Sequence, residues 1–501
     1  MSADVFISID CGSSTSYKDE NGIAWTGDDK YVKTGESRSV QSSNSFSHVA
    51  DTLRVFTNKS KNCYNIDSVM KGRVLVRATF HYGNYDGKSS PPTFDLQFDG
   101  NKWGSVTTLD SLPFLVELTY VMKRDFISVC VAQTETDQFP FISALEIRSL
   151  ELSMYSAVDV NYPLFTRRRV AFGTNATIRF PEDPYDRLWR PDVFINDTIK
   201  VSSDALLSSG LTKDNPPPAV LKTAATAATP NSTIDFFMAF PSSDVPTYIN
   251  WYFSEVTRLK PNQTRSFYIY KDNLPYSPPI LPPYQNCTEL YASNLTVFAN
   301  TTFSLVPAKN STLPPLVNAM EVFRIGDYPL TDGTNDKDVR SLASLQKTFS
   351  LLQDWSGDPC LPSGYEWDWV KCNGDIVPRV TTLFLGGYGL SGLLPDLSSM
   401  DALQTIDLHN NNLQGNIPPS LGALPNLKIL NLENNNLNGT IPASLSTKKG
   451  LILRVGGNPG LCASNTSCSI QAPASNSSPK KKNILEMLFA TIISIIVLQL
   501  S

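Results

Sequence analysis

The chain is poor in charge and nearly devoid of histidine. Lys, Arg, Asp and Glu supply 18% of its 501 residues, below the roughly one quarter of an ordinary soluble domain. Net charge is -5 and lysines cluster only at Lys480, Lys481 and Lys482. Without a basic stripe, a nucleic-acid partner is excluded. The three histidines (His48, His81 and His409) lie apart from the paired cysteines, so no metal site and no cofactor are expected. The N-terminus, MSADVFISIDCG, lacks the basic and apolar regions of a secretory leader. A protein beginning there would stay in the cytosol, so a leader is expected to have been removed or truncated. No Gly-rich loop with His-Arg-Asp and Asp-Phe-Gly signatures occurs, which excludes kinase chemistry by that machinery. No nucleophile–base constellation stands out. Carboxylates such as Asp95 and Asp99 alternate with core positions on a strand and are expected to face solvent. The chain is therefore read as no enzyme, with no catalytic residue.

What is present points outside the cytosol. The eight cysteines include two close pairs, Cys360/Cys372 and Cys462/Cys468. Both are read as disulfides, which need an oxidising compartment. Cys11, Cys63, Cys130 and Cys287 allow three connectivities. Twelve Asn-x-Ser/Thr sequons, at Asn58, Asn175, Asn196, Asn231, Asn262, Asn286, Asn294, Asn300, Asn310, Asn438, Asn465 and Asn476, fit a secreted glycoprotein. Residues 471–483 read as a polar linker. The apolar run in 484–501 is slightly shorter than the roughly 20 residues that span a bilayer. Small residues Ser475–Ser478 before it suit a GPI-attachment signal, and a single truncated C-terminal span fits equally. Either places the protein on the cell membrane with its bulk extracellular.

At this length two to four domains are expected. In VLVRATFHY, Val74, Val76, Ala78, Phe80 and Tyr82 share one face; in TFDLQFDGNKW, Phe94, Leu96 and Phe98 do, before an Asp99-Gly100 turn. Period-two patterning between turn residues predicts antiparallel sheets over 4–150. Residues 155–325 repeat the plan, with Ile249, Trp251 and Phe253 on one face. The prediction is mainly β: two tandem β-sandwiches related by duplication. Val339, Leu342, Leu345, Phe349 and Leu352 recur at three- and four-residue intervals and predict an amphipathic helix over 338–354. A 24-residue repeat follows, LQTIDLHNNNLQGNIPPSLGALPN (403–426) and LKILNLENNNLNGTIPASLSTKKG (427–450), with a degenerate copy before and a partial one after. This is a short leucine-rich α/β solenoid over 380–470 in which Asn411 and Asn435 bond backbone in the turns. Solenoid ends expose apolar edges that need covering. The segment WSGDPCLPSGYEWDWVKC, within a cap over 338–379, brings Trp355, Trp367, Trp369 and Cys360/Cys372 to the first end. Cys462/Cys468 would close the other.

Taken together, FISIDCGSST, HYGNYDGKSSPPTFDLQFDGNKW, AQTETDQFPFISALEIR and RRVAFGTNATIRFPEDPYDRLWRP resemble the malectin-like domain of plant receptor kinases. GDPC (Gly357, Asp358, Pro359 and Cys360) followed by short plant-type repeats resembles ectodomains of the malectin-like leucine-rich-repeat receptor kinases, the group that includes the symbiosis receptor-like kinase. The resemblance implies two jelly-roll-like modules and a solenoid at a plant cell surface. It implies a receptor-like protein that binds a cell-wall glycan or peptide, or serves as co-receptor to another receptor ectodomain. A structural wall-anchoring or interaction module without signalling is the alternative. Malectin binds a disaccharide through aromatics on a strand and adjoining loops. Sugars present C–H faces to rings and hydroxyls to polar groups. The residues here that suit this are Tyr82, Tyr85, Asp86 and Trp103 in the first module and Tyr248 and Tyr252 in the second. The cleft between the modules is a second candidate. On the solenoid, His409 and Glu433 are candidates for docking a partner.

Overall fold

The computed structural model describes residues 5–462, other than 68, 70, 110, 111, 192–197, 204 and 209. Alternation decides the first sandwich. Val74, Val76, Ala78 and Phe80 of strand Arg73–Phe80 are buried against Phe94, Leu96 and Phe98 of strand Thr93–Phe98, which lies in a separate four-stranded sheet. In the second sandwich, Ile249, Trp251 and Phe253 of strand Val245–Phe253 pack on Phe267, Ile269 and Leu305. Each buried ring or branched side chain contributes about 1.5–3 kcal/mol.

The two sandwiches share a sheet. Strand Phe114–Val121 of the first pairs with strand Leu164–Ala171 of the second at Leu118↔Phe165 and Thr119↔Leu164, which fuses their main sheets into one of eleven strands. The polar face of this sheet is buried as well. Across it, register aligns Glu146, Arg77 and Glu117 in the first module and Arg169, Glu321 and Asn250 in the second. Glu117 joins the halves: it accepts from Arg77 Nη2 at 2.9 Å and from Arg169 Nη1 at 2.5 Å. Burial alone would raise its pKa, but Arg169 and Arg77 hold it down at about 2. Asp186, from the segment that covers this face, accepts from Arg148 and Arg179 at 2.8 Å each. Fully buried charges are tolerated only when paired and hydrogen-bonded in this way.

The sulfur chemistry is divided. Cys63–Cys130 and Cys360–Cys372 are bridged, whereas Cys11 and Cys287 are buried thiols. Cys468, the linker and the apolar tail lie outside the described residues, as do sequons Asn196, Asn465 and Asn476. The other nine sequon asparagines are all exposed.

Helix Asp336–Thr348 opens on Asn335, whose side chain accepts from the Lys337 amide, a capping arrangement that satisfies one of the helix's free N–H groups. Leu342, Leu345, Phe349 and Leu352 are buried as the spacing predicts, although Phe349 and Leu352 lie beyond the helix, at and in a short 3-10 turn. Strands Val380–Phe384, Thr405–Asp407, Ile429–Asn431 and Ile452–Arg454 stack in parallel, one per repeat. Asn411 donates to the carbonyls of Leu385, Leu408 and His409, and Asn435 and Asn458 repeat the pattern. This ladder satisfies buried backbone that the turns would otherwise leave unpaired.

The opening cap does more than cover the solenoid. Trp367 and Trp369 are buried over the first repeat, while the neighbouring Gly357 lies on the Cys63–Cys130 bridge of the first sandwich. Gly357 has φ +75, and a Cβ there would overlap Cys63 Sγ and Cys130 Sγ. Asp358 accepts from the amides of Thr334, Cys360 and Leu361 and from the Thr334 hydroxyl. Lys61 donates to the carbonyls of Asp358 at 2.7 Å and Leu361 at 3.0 Å, and burial pushes its pKa down to about 8. This contact corrects the expectation that Asp95 and Asp99 face solvent, because their strands form the surface on which the cap sits. Asp95 is buried beside Lys102, Ser105 and Tyr365 of the cap. Asp99 accepts from the Ser128 amide and the Tyr120 hydroxyl, and burial still raises its pKa to about 6.

Candidate functional site

After Leu118 and Phe165 the two joined strands splay. Leu115, Glu117 and Thr166–Arg169 then line the walls of a cleft of about 1130 Å³, large enough for a ligand of several residues. The segment from Phe236 to Pro241 lines it too, as do Arg190 and Arg324. A β-bulge between Thr166 and Arg168 puts Arg167 out of register, which is how three successive arginines reach one cavity.

Arginine dominates the described lining. Arg167, Arg168, Arg169, Arg190 and Arg324 line the cleft with, among the described residues, a single carboxylate, Glu117, and Arg169 also pairs with Glu321 at 2.6 Å. Glu117 is already committed to Arg77 and Arg169, and it accepts the Thr166 hydroxyl at 3.0 Å. Arg324 pairs with Asp327 at 3.0 Å and lies 4.3 Å over the Phe165 ring. Burial and the nearby Arg324 charge push the Arg167 guanidinium below its ordinary value. Arg168 donates to the Phe237 carbonyl, and Phe237 itself is 53% exposed.

The residues proposed from sequence sit elsewhere. Tyr82 is fully buried and donates to Asp86, and its ring meets Tyr85 and Phe141. Tyr85 and Asp86 are the only members of that group that reach the surface. Trp103 is buried against Phe98, next to Tyr120, in a different part of the first sandwich. Tyr248 and Tyr252 are buried too, with hydroxyls that donate to Asp214 and Glu321. The expectation that Tyr82, Trp103, Tyr248 and Tyr252 present ring faces to a ligand does not match this placement: strand aromatics fill the core, as most do. His409 and Glu433 do share one side of adjacent repeats, half-exposed, with His409 Nδ1 2.7 Å from Asp407 Oδ1. Sequence reasoning named the cleft but missed its arginines. The signal was TRRRVAF, three cations on a strand that otherwise reads as core.

Fused twin sandwiches with a solenoid docked on the first define a tandem β-sandwich and leucine-rich-repeat class. The Malectin-like domain family model matches residues 9–325, and the model for Leucine Rich repeats (2 copies) matches 401–446. The chain belongs to the malectin-like domain family. The "Probable LRR receptor-like serine/threonine-protein kinase At1g05700" of Arabidopsis thaliana is 35% identical over 407 residues, 77% of this chain and 46% of that protein. The chain spans about half the length of the curated relatives it matches. Among solved structures, the ANX2 ectodomain from Arabidopsis thaliana matches with a TM-score of 0.56 at 18% identity, covering 64% of this chain and 97% of that one. A chain of the complex of plant peptide RALF23 with FER and LLG2 matches with a TM-score of 0.52 at 18% identity, covering 65% and 96%. These structural matches establish the fold.

Proposed function

We propose that the chain is the extracellular ligand-binding part of a receptor-like protein at the plant cell membrane, signalling through a receptor kinase. The observation that carries this is the cleft: a large cavity at the junction of two modules, whose described lining holds five arginines, with Arg167 unpaired among the described residues. The cleft is the ligand site, for a cell-wall glycan or a peptide. In support, the solved complex noted above holds a plant peptide with FER and LLG2. The solenoid face bearing His409 and Glu433 is the docking surface for another ectodomain; four stacked strands make too short an arc to enclose a long ligand. The nine exposed sequons carry glycans, and Cys462–Cys468 closes the solenoid. The working limits are 4–150 and 155–325 for the modules, 338–379 for the cap and 380–470 for the repeats, with membrane attachment through 484–501.

The test is to screen the purified, secreted chain against glycan and peptide arrays, wild type beside Arg190→Glu in the cleft lining. Binding that Arg190→Glu weakens, together with co-precipitation of a receptor kinase, supports the reading. If the folded chain captures neither glycan nor peptide, the ligand-binding reading fails. Phospholipase release from membranes separates a GPI anchor from a spanning tail.

A further inference from the structure

The ligand class of the cleft can be taken further, on the reading that the cleft is the ligand site. Three features of its lining select among ligands. First, among the described residues, buried donors of its lining lack acceptors. Among the described residues, Arg167 has no ion-pair or hydrogen-bond partner. Arg169 Nη2 and Arg324 Nε are buried donors with no acceptor, although Arg169 is 4% exposed. Orphaned buried donors are rare in folded proteins and call for a missing partner, and guanidiniums are matched best by a carboxylate. Second, neutral sugars are poorly served. Among the described residues no Tyr or Trp ring lines the cleft, and the hydroxyls of Thr166 and Thr247 are spent on Glu117 Oε1 and the Val245 carbonyl. The apolar lining is instead Phe237, Met238 and Phe240, suited to an aliphatic or aromatic side chain. Third, a strand edge is open. On the side facing the first module, strand Leu164–Ala171 pairs at Leu164 and Phe165 and again at Val170 with Arg190. Between them, Thr166–Arg169 has no strand partner on that side among the described residues. Open edges are recognised by extended peptides through main-chain hydrogen bonds.

We propose that the inter-module cleft binds an extended acidic peptide segment, with a carboxylate on Arg167, Arg169 and Arg324 and a neighbouring apolar side chain on Phe237 and Phe240. The edge Thr166–Arg169 supplies backbone groups that fix its direction.

The experiment uses the whole secreted chain, folded by circular dichroism, at low salt. The probes are a fluorescent peptide of about ten residues alternating Glu with Phe and Leu, its Gln counterpart, and a uronate oligosaccharide of equal charge. The Glu peptide is expected to bind at least about tenfold more tightly than the Gln peptide and to weaken as salt rises. Arg167→Ala with Arg324→Ala is expected to cost about tenfold or more. Arg190→Glu, at an exposed residue of the lining, should cost several-fold and guards against misfolding of the double variant. Equal binding of Glu and Gln peptides, or no binding of the Glu peptide, overturns the proposal. If the uronate binds more tightly and shows the same arginine dependence, the peptide assignment falls while the cleft stands as the ligand site. If peptide binding survives all three substitutions, the cleft reading itself falls.

Discussion

The two sandwiches have the same plan and are finished differently. The first is braced by Cys63–Cys130 between facing strands, and that bridge is also the seat for Gly357 of the solenoid cap. The second has no disulfide among the described residues; its Cys287 is a buried thiol. Its buried carboxylates, Asp214 and Glu321, accept tyrosine hydroxyls, as Asp28 and Asp99 do in the first module. Their surfaces differ as well. Of the described sequons, Asn58 alone lies in the first module, while seven exposed ones, from Asn175 to Asn310, lie in the second. One module is built to carry a rigid neighbour, and the other is free of that contact and open to glycan cover. The charge row through Glu117 ties one to the other.

The largest effect should come from cutting that row. Glu117→Gln keeps the shape but leaves Arg77 and Arg169 facing each other without their shared carboxylate. Breaking a buried pair costs about 3–5 kcal/mol. Hydrogen exchange should then show strands of both modules opening together; opening of one alone would mean the joint is not shared. Next, Cys63→Ala with Cys130→Ala removes a bridge spanning 67 residues, a loss of about 2–4 kcal/mol. It should fall on the first module and the cap and spare the second, as read by urea unfolding with a probe in each. A smaller loss, about 2–3 kcal/mol, is expected for Gly357→Ala, which meets both sulfurs and holds an alanine at φ +75. If Gly357→Ala leaves cap protection unchanged in hydrogen exchange, the cap is not seated on the bridge.

The contrast between modules was only half legible in sequence. Period-two runs located both cores, because an alternation such as Val74, Val76, Ala78 reports which side chains leave water together. The asparagine spacing of 24 residues located the solenoid, since each turn needs the same side-chain bonds to its backbone. What sequence could not supply was register. Glu146, Arg77, Glu117, Arg169 and Glu321 are tens of residues apart and become neighbours only once the strands are paired. The visible sign was one charge in the middle of each apolar run, as in VLVRATF and FLVELTYV. A lone charge on a half-buried strand reads as solvent-facing, as Asp95 did, until the second face is known to be covered. The ligand-site residues failed for a related reason: Tyr82, Tyr248 and Tyr252 have the composition of a sugar site and the burial of a core.

The smallest effect separates the modules by pH. Asp214 receives bonds from the Tyr155 amide at 2.6 Å, Asn250 at 2.6 Å and Tyr248 at 3.0 Å. Asn250 also reaches Glu289 at 3.0 Å, which brings two carboxyls to one amide, with Glu321 nearby and Arg187 donating to the Asp214 carbonyl. Burial first, and then the Glu289 charge, raise the Asp214 pKa from its ordinary 3.8. A raised carboxyl is protonated more readily in the folded state than in the unfolded one. Its contribution is therefore complete below about pH 4 and is lost as pH climbs toward the folded value. Glu117 runs the other way: its depressed pKa gives stability above the unfolded value of 4.5 that disappears as pH falls toward 2. The opening free energy of the second module should thus fall between pH 5 and pH 9 by on the order of 1 kcal/mol. Glu289→Gln, which removes the like charge and keeps the amide partner, should flatten that slope and leave the acid limb untouched. The first module's raised carboxyls, Asp10 and Asp99 at about 6, lose their contribution at lower pH; a slope in the second module that is indifferent to Glu289→Gln would show that the Asp214–Glu289 pair does not set it.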